Sequence, residues 1–157
     1  SSFMWNPFSL FKKSRLLSAS DKQLLVQAIQ SAEKTTSGEI RVYLESHLNK
    51  KEALERAQHI FIKNKMHETK QRNGVLLYVA LEDKKLAIYG DQGIHEKVGD
   101  DYWNQQVEHM ISHFKSENYV TGLTEVILAI GDALTDHFPY CRGIDINELS
   151  DEIMVGK

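Results

Sequence analysis

The sequence predicts an α/β protein, a three-layer α/β/α sandwich with a mixed sheet and the element order α-β-α-β-β-α-α. Three observations lead there. Four segments carry apolar residues at helical spacing, and three short apolar runs lie between them. A charged helical segment joins the first run to the second, forming a βαβ unit with parallel strands and a right-handed crossover. The polar turn Glu82-Asp83-Lys84-Lys85 then joins the second run to the third as a hairpin, so the third strand runs back. Four helices shared between two sheet faces give three layers.

Each element has its own signal. Ser20-Asp21-Lys22-Gln23 has the form of a capping box. Leu24, Leu25, Ala28, Ile29 and Ala32 then recur at helical spacing. Ile40, Val42 and Leu44 alternate with Arg41, Tyr43 and Glu45, as in a strand with one face more buried than the other. Ala53, Leu54, Ala57, Ile60 and Phe61 mark the second helix. The continuous apolar run 75–81 reads as a strand covered on both faces, and 86–89 as its hairpin partner. Trp103, Val107, Met110, Ile111 and Phe114 mark a third helix, expected to begin at Asp100 or Asp101. Leu123, Val126, Ile127, Ile130 and Leu134 mark a fourth, bounded by Pro139. Past Tyr140 the periodicity is lost and the chain is expected to lie over the surface. The organisation is thus an N-terminal extension (1–19), one domain (20–138) and an acidic tail (139–157).

Composition narrows the function classes. The 157 residues suit a single domain that buries roughly 70% of its unfolded surface. Nineteen basic against twenty-two acidic residues give a net charge of −3, which argues against nonspecific nucleic-acid binding. No apolar run approaches the roughly 20 residues of a spanning helix. The aromatic start (Phe3, Trp5, Phe8, Phe11) precedes Lys12, Lys13 and Arg15, the reverse of a secretory signal, so a cytoplasmic location is expected. That segment is also the one place suited to peripheral membrane contact. The single cysteine, Cys141, has no partner for an intramolecular disulfide and no motif that activates it.

Three polar motifs abut the strands: Thr36-Ser37-Gly38-Glu39, Arg72-Asn73-Gly74 and Gly90-Asp91-Gln92-Gly93. Parallel strands start at one end of a sheet, and the antiparallel third strand exits there. Topology alone therefore gathers the motifs, with Asp100 and Asp101 nearby. This is the entry end of the parallel strands, not the carboxyl end where open α/β sheets usually bind ligands. Glu39, Asp91, Asp100 and Asp101 are oxygen donors suited to Ca²⁺ or Mg²⁺. Thr36, Ser37, Arg72 and Asn73 suit a phosphate or backbone group, and Gly93 allows close approach of a ligand. The simpler structural reading of each is a turn residue or, for Asp100 or Asp101, a helix N-cap.

The same residues carry a family resemblance. Thr35-Thr36-Ser37-Gly38-Glu39-Ile40, Arg72-Asn73-Gly74-Val75-Leu76-Leu77, Tyr89-Gly90-Asp91-Gln92-Gly93-Ile94 and Tyr119-Val120-Thr121-Gly122-Leu123 resemble the successive motifs of the TPM domain, over about residues 20–138. The resemblance implies an α/β/α sandwich. It also implies links to the acid-phosphatase activity and photosystem repair of plant thylakoid relatives, and to a membrane-protein accessory role in an animal relative. The small soluble bacterial branch is the best match.

Two functions are therefore expected. In one, a cation held by Glu39, Asp91 and Asp100 or Asp101 polarises a phosphoryl oxygen, with Asp91, Asp100 and Arg72 as catalytic residues and Asn73 helping to hold the substrate. In the other, the edge is a docking surface of a non-catalytic module for a protein or membrane complex. Partners are accordingly an unknown protein or a phosphorylated substrate. Two further candidates have simpler readings. His109 and His113 lie one turn apart, but opposite the apolar stripe of their helix, as on a solvated face. His95 beside the edge can act as an acid or base, and reads most simply as a surface loop residue.

Overall fold

A computed structural model of the chain describes residues 17–49 and 52–140 and the backbone of Met154 and Val155. The aromatic start, Cys141 and most of the acidic tail lie outside the described residues. In chain order the elements are α1 (Ala19–Glu33), β1 (Glu39–Glu45), α2 (Ala53–Lys63), β2 (Gly74–Ala80), β3 (Lys85–Gly90), α3 (Gln92–Lys115), α4 (Tyr119–His137) and β4 (Met154–Val155). The three-layer sandwich is formed as the sequence predicts.

The sheet order is β3-β2-β1-β4. β1 and β2 are parallel, with Glu39 opposite Gly74. β2 and β3 are antiparallel, with Val75 opposite Gly90. On one face, α1, α3 and α4 pack over Ile40, Val42, Val75, Leu77, Val79 and Ile88. α2 covers the other, through Ala57, Ile60 and Phe61 against Leu76, Tyr78 and Ala87. In α4, Leu123, Val126, Ile127, Ile130 and Leu134 are wholly buried, each contributing on the order of 1.5–3 kcal/mol.

Four details differ from the sequence expectations. The capping box begins at Ser18, not Ser20: Ser18 Oγ accepts from Asp21 N at 3.1 Å, and Asp21 Oδ2 accepts from Ser18 N at 3.0 Å. Burial of Leu17 pulls the helix start two residues earlier. The charged face of β1 is buried as well as its apolar face. Arg41, 2% exposed, pairs with Glu33 and Glu39, and Glu45 takes a bidentate bond from Arg56 and a further one from Tyr78. Pairing is what lets charges enter a covered strand. An additional helical stretch precedes the expected third helix: Asp91 caps turns that start at Gln92, Gly99 (φ 81°, ψ 172°) interrupts the helical backbone, and the stretch that carries Trp103 to Phe114 starts at Asp100 as expected, so α3 is two helical segments joined at Gly99. His95 consequently lies on a helix, not in a loop. Finally, Met154 and Val155 pair with Tyr43 and Leu44 as a parallel edge strand, so this part of the tail joins the sheet. Two residues are too short for a strand pattern to be read.

Candidate functional site

The three polar motifs meet as the topology requires, and they bond to one another. Asn73, 1% exposed, accepts Glu39 N on its carbonyl at 3.3 Å and donates its amide Nδ2 to Ser37 Oγ at 3.1 Å. Thr36 Oγ1 accepts from Gly38 N at 3.0 Å and donates to the Phe138 carbonyl. The chain leaving α4 thereby returns to the edge, where Tyr140 N donates to Thr35 O at 2.9 Å.

The second and third motifs join through Arg72 and Asp91. Arg72 Nε and Nη2 donate to Asp91 Oδ2 and Oδ1 at 2.7 and 2.8 Å. Asp91 Oδ1 also accepts from Gln92 N at 2.8 Å, as an N-cap should. These bonds favour the charged guanidinium and raise the Arg72 pKa. Asp91 is 2% exposed, whereas the Arg72 side chain is 42% exposed. Behind them, Gly93 N donates to Arg72 O at 2.8 Å. A Cβ at Gly93 would lie 2.1 Å from Gln71 O and 2.6 Å from Arg72 O, so this glycine serves backbone packing within the fold.

The four acidic candidates are placed differently. Glu39 and Asp91 are buried, each with an arginine on its carboxylate. Asp100 is 86% exposed and stands 3.6 Å from His95 Nε2, and Asp101 is exposed. Among the described residues, these four form no group whose oxygens all lie within 4.8 Å. The group that does is His109, His113 and Glu125, which joins α3 to α4. The one-turn histidine spacing was legible; the carboxylate opposite it depends on how two helices pack.

Arg72, Asp91, His95 and Asp100 also line one end of a groove of about 670 Å³. The groove follows β3, the outermost strand, between the start of α2 (Glu52, Ala53, Leu54) and Trp103, Asn104 and Val107 of α3. Asp91 N donates to Gly74 O at 2.9 Å, and this sets the phase of the ladder. Tyr89 and Ala87 then bond across to β2, while Leu86, Ile88 and Gly90 direct their N–H and C=O groups away from it, into the groove. His95 is oriented by Trp103, whose Nε1–H donates to Nδ1 at 3.1 Å. That bond fixes the neutral ring as the Nε2–H tautomer, facing Asp100.

This mixed sheet, with its joined motifs at the strand-entry edge, agrees with the comparisons with known proteins. The family model of the TPM domain matches residues 10–133. The chain belongs to the TPM domain family. Among solved structures it is similar to the BA42 protein of the psychrophilic bacterium Bizionia argentinensis, at 44% identity and a TM-score of 0.81, over 89% of this chain and 95% of that one. The TPM fold recurs in the N-terminal domain of a P. gingivalis protein, at 18% identity and a TM-score of 0.64, over 81% of this chain and 83% of that one. It recurs again in the N-terminal domain of the cg2496 protein of Corynebacterium glutamicum, at 15% identity and a TM-score of 0.60, over 75% and 74%. No functionally curated protein matches the chain. Among the described residues of this TPM domain, no helix is long and apolar enough to cross a membrane.

Proposed function

We propose that this TPM domain is a non-catalytic binding module that docks an extended segment of a partner protein along β3. The observation that carries the reading is the open edge of β3 at the floor of a groove. An added strand finds its hydrogen-bonding partners in the outward backbone of Leu86, Ile88 and Gly90. Leu54, Trp103 and Val107 offer apolar walls for its alternate side chains, and the exposed side of the Asp91-paired Arg72 guanidinium stands at one end. A metal-dependent phosphatase-like reaction fits the geometry less well. Glu39 and Asp91 each already hold a guanidinium, so a cation there shares a carboxylate whose charge is partly compensated inside the fold.

Selection of extended peptides from a display library, followed by amide-shift mapping, tests the proposal. Selected peptides are expected to shift the amides of Leu86, Ile88 and Gly90 and to lose affinity when Leu54, an exposed wall residue, is replaced by Ala. No selected peptide, or shifts confined to other elements, overturns it. So does phosphate release from a generic phosphomonoester with Mg²⁺ or Ca²⁺ that Asp91→Asn abolishes.

A further inference from the structure

We propose that His109, His113 and Glu125 form a site for a borderline divalent metal ion of the zinc class. The site bridges α3 and α4 and is separate from the β3 groove. His109 and His113 stand one turn apart on α3, their rings 4.9 Å between centroids. Glu125 reaches across from α4: its Oε1 lies 2.6 Å from His109 Nε2 and 3.1 Å from His113 Nε2. One atom from each residue lies within 4.8 Å of the other two.

The helix packing holds this arrangement in place. A Cβ at Gly122 would lie 2.8 Å from His113 Cβ, so the glycine lets α4 close on α3 at this point. One turn on, Glu125 faces the histidine pair. The backbone beyond is anchored too, with Ser116 N and Asn118 N donating to His113 O at 3.0 and 2.9 Å.

The donor set selects the ion. Two imidazole nitrogens and one carboxylate oxygen suit zinc, whereas Ca²⁺ and Mg²⁺ take mostly oxygen. Tetrahedral zinc with bonds near 2.0–2.1 Å separates its ligands by about 3.4 Å. The two nitrogen–oxygen spacings need opening by less than an ångström, the ligand atoms of the two histidines lie within 4.8 Å of one another, and all three side chains are at least partly exposed. Each Nε2 carries the proton it donates to the carboxylate, so binding moves each ring to the tautomer protonated at Nδ1, replaces the two hydrogen bonds with metal bonds, and keeps a coordination position open for water.

Titration of the full chain with Co²⁺ and with Zn²⁺ tests this. One equivalent of Co²⁺ should give the visible absorption of a tetrahedral nitrogen–oxygen site, and Zn²⁺ should displace it. Glu125→Gln and His113→Ala should each weaken zinc binding at least tenfold, and His59→Ala, an exposed histidine on α2, should leave it unchanged. Zinc should also raise the Tm of the wild type more than that of Glu125→Gln. Absence of saturable binding overturns the proposal, as does binding that survives both ligand substitutions. Leu54→Ala in the groove should not alter zinc affinity, so this site and the proposed docking function stand or fall separately.

Discussion

Replacing Asp91 separates two jobs that one carboxylate performs. Asp91 caps α3 through Gln92 N and pairs with Arg72 through two bonds of 2.7 and 2.8 Å. Asp91→Asn keeps a good capping oxygen and removes the charge. Hydrogen bonds to charged groups contribute roughly 1.5–3 kcal/mol. Arg72 is 42% exposed, so solvent screening reduces the pair to about 1 kcal/mol. Asp91→Ala removes the cap as well, worth about 1 kcal/mol more, for a total of about 2 kcal/mol. At this chain length each kcal/mol lowers Tm by roughly 2–4 °C. The expected losses are therefore about 3 °C for Asn and about 6 °C for Ala, with unchanged urea m-values. The Asn loss should shrink in high salt, and the further loss from Asn to Ala should not. Equal losses for the two variants would refute the division between cap and charge. Stabilisation of the wild type by Ca²⁺, absent from Asp91→Asn, would show the carboxylate to be a ligand first.

Two further perturbations test other parts of the fold. Gly93→Ala places a methyl against the Gln71 and Arg72 carbonyls, which are backbone and have little freedom to yield; a loss of roughly 2–4 kcal/mol in urea unfolding is expected, and a loss under about 0.5 kcal/mol contradicts the close approach. Burial pushes the Tyr102 pKa up to about 12. The folded state therefore keeps its phenol proton where the unfolded chain, near 10, has lost it. Its contribution is fully present below about pH 10 and declines by up to about 1.4 kcal/mol per pH unit towards pH 12. Tyr102→Phe should accordingly lose less stability than the wild type between those pH values, and parallel curves would rule the mechanism out.

The sequence made the fold legible where one pattern decided one element. The continuous run 75–81 reads as a strand covered on both faces, and β2 is buried throughout. Parallel β1 and β2, with β3 returning, brought three motifs to one edge, and hydrogen bonds now join them. Where two parts of the chain decide together, the pattern fell short. The alternation in β1 concealed a buried charged face, because Arg41 and Glu45 find partners on α1 and α2, which no periodicity within the strand records. The spacing from Trp103 to Phe114 located the helical stretch that starts at Asp100, but the turns before Gly99 went unread, because their cap, Asp91, looked like a turn residue. The groove needed β3 to be outermost, and strand order is a property of the whole sheet. Glu125 is 12 residues from His113 and on another helix, so only packing pairs them.

The bonds within the edge also bear on where function resides. A ligand must compete with whatever already occupies the groups it uses. At the motif junction, Asn73 is bound to Ser37 and Glu39, Asp91 to Arg72 and Gln92, and Gly93 to Arg72. A ligand there competes with bonds already made inside the fold. A few ångströms along β3 the balance reverses, since outward backbone groups of an edge strand have only water to exchange. The junction is then best understood as what holds that edge in position. Asp91 N closes the β2–β3 ladder at Gly74, and the Gly93–Arg72 bond ties the start of α3 to the loop before β2. From that anchored start α3 carries Trp103 and Val107 to the groove wall. On this argument, damage at the junction should weaken docking through displacement of the groove, while damage at Leu54, the exposed wall on α2, should weaken docking with little change in the junction.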